Sequence, residues 1–244
     1  MCKRYKLLIS YDGTNFSGWQ IQPNAPTIQQ TLERALQTIL KKRTPIYGSG
    51  RTDAGVHAHA QTAHIDAEIP NLPQFHRSLN GLLPPSIRIH TITPTDETFH
   101  ARFSARRKIY HYHLHLDPIL SPFKRGYTLH IRHPFNENLL QQALPHFIGT
   151  HDFAAFTNKS ETQKNTTRTI YRIEALPETH GLRLEFEGGG FLYKMVRNIT
   201  GTLLDVAAEK LTPSAIPQIL ATRDRRKASR AAAPHALFLA SVHY

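Results

Sequence analysis

Asp53 stands in the string Gly50-Arg51-Thr52-Asp53-Ala54-Gly55-Val56-His57-Ala58, two residues after an arginine and between two glycines. A carboxylate held there can attack an electrophilic carbon, or remove a proton and later give it back. A nearby arginine favours the charged form and can steady negative charge on a departing group. By residue type alone, an Asp between glycines reads first as a turn former: glycine supplies the unusual φ and the Asp side chain bonds to neighbouring backbone. The Gly50 to Gly55 spacing also imitates a phosphate-binding loop, but Val56 stands where that motif needs lysine.

Other residue types compete for chemistry. Tyr110 and Tyr112 follow the basic cluster Arg106-Arg107-Lys108. An aromatic ring beside cations can stack on an unpaired base, worth about 1 to 3 kcal/mol per base. Core packing is the plainer reading, and Tyr112 is assigned to it. Arg197 enters a helix behind Gly188-Gly189-Gly190, on a face next to that of Phe191, Met195 and Ile199. It points either to solvent or toward Asp53. His57 and His59 share a strand face while His64 takes the opposite one, and no Cys or His set has zinc spacing. No metal and no cofactor is expected. The row His111, His113 and His115 reads as a polar sheet face.

Charge narrows the partner. The chain of 244 residues carries 30 Lys plus Arg against 18 Asp plus Glu, a formal net charge of +12. The cations cluster at Lys41-Lys42-Arg43, over 102–108, at Lys124-Arg125 and over 223–230. A polyanion such as nucleic acid fits that surface. The single cysteine, Cys2, forms no internal disulfide, which fits a reducing, cytoplasmic setting. No apolar run approaches the roughly 20 residues needed to span a bilayer, and the N-terminal apolar stretch is too short for a signal peptide.

The elements that must position these residues follow from periodicity. Residues 5–11 read as a strand. Thr27, with Gln30 three residues on, caps a helix whose stripe is Ile28, Leu32, Ala35, Leu36, Ile39 and Leu40. Strands over 44–47 and 56–65 flank the Asp53 turn, followed by a helix over 73–83 and a strand over 87–92. The second half repeats the order. A strand over 108–116 puts Tyr110, Tyr112, Leu114 and Leu116 on one face. A helical stripe of Leu139, Leu140, Ala143, Leu144 and Phe147 is limited by Pro145. A hairpin spans 169–176 and 182–187, then come a long helix over 191–209, a short one over 214–220 and a closing strand over 237–244. The expectation is an α+β chain of two ferredoxin-like, split β-α-β halves with antiparallel sheets side by side. The join falls near 98–106, dividing residues 1–103, which carry Asp53, from residues 104–244, which carry Tyr110 and Arg197.

Together the motifs resemble the tRNA pseudouridine synthases of the TruA type. The matching segments are Tyr11-Asp12-Gly13-Thr14, Gly18-Trp19-Gln20, the Asp53 string, Leu79-Asn80 with Leu83-Pro84, and Phe99-His100-Ala101-Arg102-Phe103-Ser104-Ala105. They continue with Tyr110-His111-Tyr112, Gly149-Thr150-His151-Asp152-Phe153, Gly190-Phe191-Leu192 and Met195-Val196-Arg197-Asn198. The resemblance implies a pseudouridine-synthase architecture and an isomerase of uridine in the anticodon arm of tRNA, at positions 38, 39 and 40. It implies Asp53 as the catalytic aspartate, Tyr110 stacked on the target uracil, and Arg51 and Arg197 as supporting residues, with Arg197 paired to Asp53. It also implies a homodimer working without metal or organic cofactor. One segment departs: where the family commonly reads Ala-Gly-x-Thr-Ala-Pro-Ala-x-Gly-Leu, this chain has Ala228-Ser229-Arg230-Ala231-Ala232-Ala233-Pro234-His235-Ala236-Leu237. The rival reading, a non-catalytic RNA-binding protein of two ferredoxin-like units, accounts for charge and fold but not for the Asp53 string.

Overall fold

The computed structural model describes residues 2–158 and 165–244. In chain order the elements are β1 (Lys3–Tyr11), α1 (Ile28–Leu40), β2 (Tyr47–Gly48), β3 (His57–Ala67), α2 (Leu72–Leu82), β4 (Ile87–Pro94), β5 (Arg107–His115), β6 (Leu129–His130) and α3 (Glu137–Ala143). They continue with β7 (Gly149–Asp152), β8 (Thr167–Glu178), β9 (Gly181–Gly188), α4 (Met195–Ala207), α5 (Ala215–Thr222) and β10 (Leu237–His243). The chain is α+β and forms two compact units, Met1–Arg106 with Phe238–Tyr244, and Arg107–Leu237.

In the first unit β1 lies between β4 and β3, antiparallel to both. β2 pairs with the far part of β3, Tyr47 opposite His64. β10 runs parallel to the near part of β3, Phe238 beside His57. The closing strand of the sequence thus packs with the first unit. Alternate residues of β1 (Tyr5, Leu7, Ile9 and Tyr11) are buried, as a strand with one face on a core requires. α1 begins where the Thr27 hydroxyl accepts from the Gln30 amide at 3.2 Å, a cap worth about 1 kcal/mol. It stops where Lys41 turns left-handed. Ile28, Leu32, Ala35 and Leu36 are its buried stripe.

The strand expected over 44–47 shrinks to Tyr47–Gly48. Pro45 has no N–H for a ladder. Ile46 instead donates its N–H to Glu33 Oε1 at 3.2 Å and accepts from Gln29 Nε2 at 3.3 Å. The backbone there is satisfied by side chains of α1.

In the second unit β9 lies between β5 and β8, antiparallel to both, and β7 extends the sheet beyond β8. β6 pairs with the end of β5. Tyr112, Leu184 and Phe186 of the sheet are fully buried, as are Leu140 and Ala143 of α3 and Met195, Ile199, Leu203 and Val206 of α4. Pro145 turns the end of α3 into a 3-10 turn, Leu144–Phe147, which still buries Phe147.

The long helix expected over 191–209 is shorter, Met195–Ala207. Lys194, at φ +58, breaks the helical path before it. Phe191 and Leu192 therefore approach the helix as a turn that closes with the Met195 amide on the Leu192 carbonyl at 3.1 Å.

Candidate active site

The Asp53 turn is fixed by backbone. Val56 donates its N–H to the Asp53 carbonyl at 3.1 Å. Gly55, at φ +74, occupies the third position, where a type II turn calls for glycine. The loop after β1 is laid along it: Trp19 donates to the Thr52 carbonyl at 3.1 Å and Gly55 donates to the Phe16 carbonyl at 3.2 Å. Thr52 and Val56 are buried while Asp53 is half-buried. The acid thus sits at the surface on a backbone tied from both sides.

Arg51, in the same segment, is exposed. Its Nε donates to Gln20 Oε1 at 3.0 Å. Gln20 donates in turn to Gln29 Oε1 at 2.7 Å, and Gln29 to Glu33 Oε1 at 3.0 Å. A line of side-chain hydrogen bonds thus runs from Glu33 of α1 through Gln29 and Gln20 to the Arg51 guanidinium.

Under the turn lies a second polar group, which the sequence reading did not single out. Tyr11, Ser49, Thr52 and Gln61 are all buried. Tyr11 Oη and Thr52 Oγ1 are 2.8 Å apart. Ser49 Oγ donates to Gln61 Oε1 at 2.6 Å, and Gln61 Nε2 donates to the Gly50 carbonyl at 2.9 Å. Burial pushes the Tyr11 phenol up to about 12, against the opposing hydrogen bonds of Thr52 and Gln61. Tyr11 therefore stays protonated throughout the physiological range. A signal for this group existed: Gln61 shares a strand face with Ala63, Ile65 and Ala67, and a polar side chain on an apolar face needs partners.

The second unit holds Tyr110 and Arg197. Tyr110, on β5, is buried with its ring edge-on to Phe191, centroids 5.2 Å apart. Arg197, in the first turn of α4, is half-buried rather than solvent-directed. Its Nε donates to the Ala232 carbonyl at 2.8 Å, and Ala232 donates its N–H to the Arg197 carbonyl at 2.9 Å. The atypical segment over 228–237 thus supplies backbone that grips Arg197 from two sides. Tyr112 is core, its hydroxyl donating to the Ala233 carbonyl at 2.9 Å. Of the four singled-out residues, Arg51 and Asp53 lie in one segment of the first unit, and Tyr110 and Arg197 belong to the second.

The histidines are occupied otherwise than as ligands. His57 and His59 both stack on Phe238, at 4.6 and 4.7 Å. His64 stacks on Tyr47 at 5.0 Å. His111 and His113 lie 3.0 Å from Glu185 and 2.8 Å from Glu178. His115 departs from the expected polar row: it is buried and donates Nε2–H to the Ile119 carbonyl at 2.9 Å. Among the described residues no group of three or more His, Cys, Asp or Glu side chains could hold a metal ion.

A family model described as tRNA pseudouridine synthase matches residues 7–104 and 143–244. The chain belongs to that family. It is 53% identical over 245 residues to tRNA pseudouridine synthase A 1 of Protochlamydia amoebophila, covering 98% of this chain and 96% of the relative. It is 44% identical over 250 residues to tRNA pseudouridine synthase A of Chlamydia trachomatis, covering 100% of this chain and 93% of the relative. With tRNA pseudouridine synthase A 1 of Bacillus cereus it shares 42% over 243 residues, 99% of this chain and 98% of the relative. As a tRNA pseudouridine synthase it is an isomerase. The matched spans include Arg51, Asp53 and Arg197, and Tyr110 falls between them.

Proposed function

We propose that this synthase converts uridine to pseudouridine at positions 38, 39 and 40 in the anticodon arm of tRNA, with Asp53 as the catalytic group. The observation that carries the reading is the presentation of Asp53, a half-buried acid on a turn held by Val56, Phe16 and Trp19. The reaction is an isomerisation. The C1′–N1 bond breaks, the uracil turns over, and C1′ bonds to C5; the C5 proton passes to solvent and N1 takes up a proton, so the composition is unchanged. Asp53 attacks or takes a proton and is released unchanged. Tyr110 stacks on the uracil once the nucleotide leaves its helix. Arg51 and Arg197 support the charges that develop, Arg197 by pairing with Asp53. The basic clusters grip RNA phosphates by shape rather than base identity.

The frame for this chemistry is two ferredoxin-like halves, residues 1–103 with the aspartate and residues 104–244 with Tyr110 and Arg197, the closing strand β10 of the latter returning to β3. For the first half, β1 between β4 and β3, with β2 and β10 both paired to β3, supports that reading. The synthase works in the cytoplasm as a homodimer without metal or organic cofactor.

The test is Asp53→Asn. It should bind tRNA as tightly as the unaltered protein and form no pseudouridine, measured by tritium release from C5-labelled uridine. Substantial residual product would end the assignment.

A further inference from the structure

The polar group beneath the Asp53 turn plays no part in the chemistry just described, yet it is bonded to the turn at three points. Gln61, on β3, accepts from Ser49 Oγ at 2.6 Å, donates to the Gly50 carbonyl at 2.9 Å and directs its Nε2 at Tyr11 Oη, 3.5 Å away. Tyr11 Oη and Thr52 Oγ1 share a hydrogen bond at 2.8 Å. A chain of side-chain bonds thus links Gln61, Tyr11 and Thr52. Ser49, Gly50 and Thr52 are the residues that lead into Asp53. Two framework strands, β1 through Tyr11 and β3 through Gln61, therefore hold the approach to the acid.

Packing alone does not call for this chemistry. The four residues are 0% to 7% exposed, and replacing both partners of a buried hydrogen bond with apolar groups of the same shape can be nearly neutral for stability. What apolar residues cannot do is fix a backbone to within a fraction of an ångström through directed bonds. We propose that Tyr11 and Gln61 are positioning residues, which set the Asp53 carboxylate for the chemical step through Thr52 and Gly50 and leave RNA binding untouched. The inference rests on Asp53 being the catalytic group.

The experiment uses the full chain and a tRNA transcript carrying uridine at the three positions, with single-turnover rate and Kd measured separately. Tyr11→Phe and Thr52→Val should each lower the rate about 10- to 100-fold, the scale of a misplacement near 1 Å, with Kd within about twofold. The double variant should be no slower than the slower single, because one chain of bonds is broken once. Thr52→Ser, which keeps the hydroxyl, should recover most of the Thr52→Val loss. If Tyr11→Phe fails to fold, the Val and Ser variants at Thr52 carry the comparison alone. Additive losses, a loss matched by weaker binding, or a Tyr11→Phe rate within twofold of the unaltered protein would each overturn the proposal. Asp53→Asn is assayed alongside. If it is inactive while Tyr11→Phe is unimpaired, only the positioning role falls; if it is active, the catalytic reading falls and takes the positioning role with it.

Discussion

Gly18 lies flush against the carbonyl of Thr52. A Cβ at Gly18 would stand 2.5 Å from that oxygen and 3.1 Å from the carbonyl carbon of Asp53, at a φ of +92. The loop after β1 and the Asp53 turn therefore touch backbone to backbone, and the Trp19 N–H bonds across the contact.

Gly18→Ala should accordingly fail twice. Overpacking a rigid contact costs about 1 to 3 kcal/mol, and a left-handed alanine adds about 1 kcal/mol. Because the atoms in conflict are backbone, relief must come from displacing the turn that carries the acid. The expected outcome is a lower denaturation midpoint together with a slower single-turnover rate. Full activity at an unchanged midpoint would mean that the loop yields without moving Asp53.

Much of the frame could be read from local pattern, and the exceptions share a cause. α1 was legible because its cap and its stripe lie within one stretch of chain. The alternation of Tyr110, Tyr112 and Leu114 predicts β5 equally well. The segment over 44–47 misled because its apolar residues suggest a strand, while Gln29 and Glu33 of α1 take its backbone bonds. The early start expected for α4 missed the left-handed Lys194, which no residue type announces. At the site, Asp53 and Arg51 are adjacent in sequence and could be picked out by type. The group beneath them could not be assembled, since Tyr11 and Gln61 meet only through the register that sets Ile9 opposite Gln61. Gln61 alone carried a clue, as a polar residue on the apolar face of its strand.

A pH dependence of stability follows from His64. Its Nδ1 accepts from the Ala101 amide at 3.2 Å, which puts the ring proton on Nε2. Burial, aided by the charges of His100 and Arg4 and opposed by Asp66, holds its pKa down from 6.5 to about 4. Between those values the unfolded chain takes up a proton that the folded chain refuses, so stability falls as pH falls through the window and is level above it. His64→Asn keeps an acceptor near the Nδ1 position but does not titrate. Urea midpoints at about pH 7.5 and about pH 4.5 should differ less in His64→Asn than in the unaltered protein. An equal difference would assign the acid sensitivity to other groups.

Tyr110 presents the hardest separation, because its ring is both packed against Phe191 and assigned to the target base. Tyr110→Phe keeps the ring and should react at a rate close to that of the unaltered protein. Tyr110→Ala should lose about 1 to 3 kcal/mol of stacking, a factor of about 5 to 150 in tRNA affinity. It also opens a cavity beside Phe191 that lowers the denaturation midpoint. Comparing two RNAs divides these effects: an anticodon arm with uridine at the target position, and the same arm with an abasic site there. If the ring stacks on uracil, the penalty of Tyr110→Ala should appear on the first and vanish on the second, since an abasic site leaves nothing to stack. A penalty of equal size on both would reduce Tyr110 to a packing residue and leave the flipped base without its assigned partner.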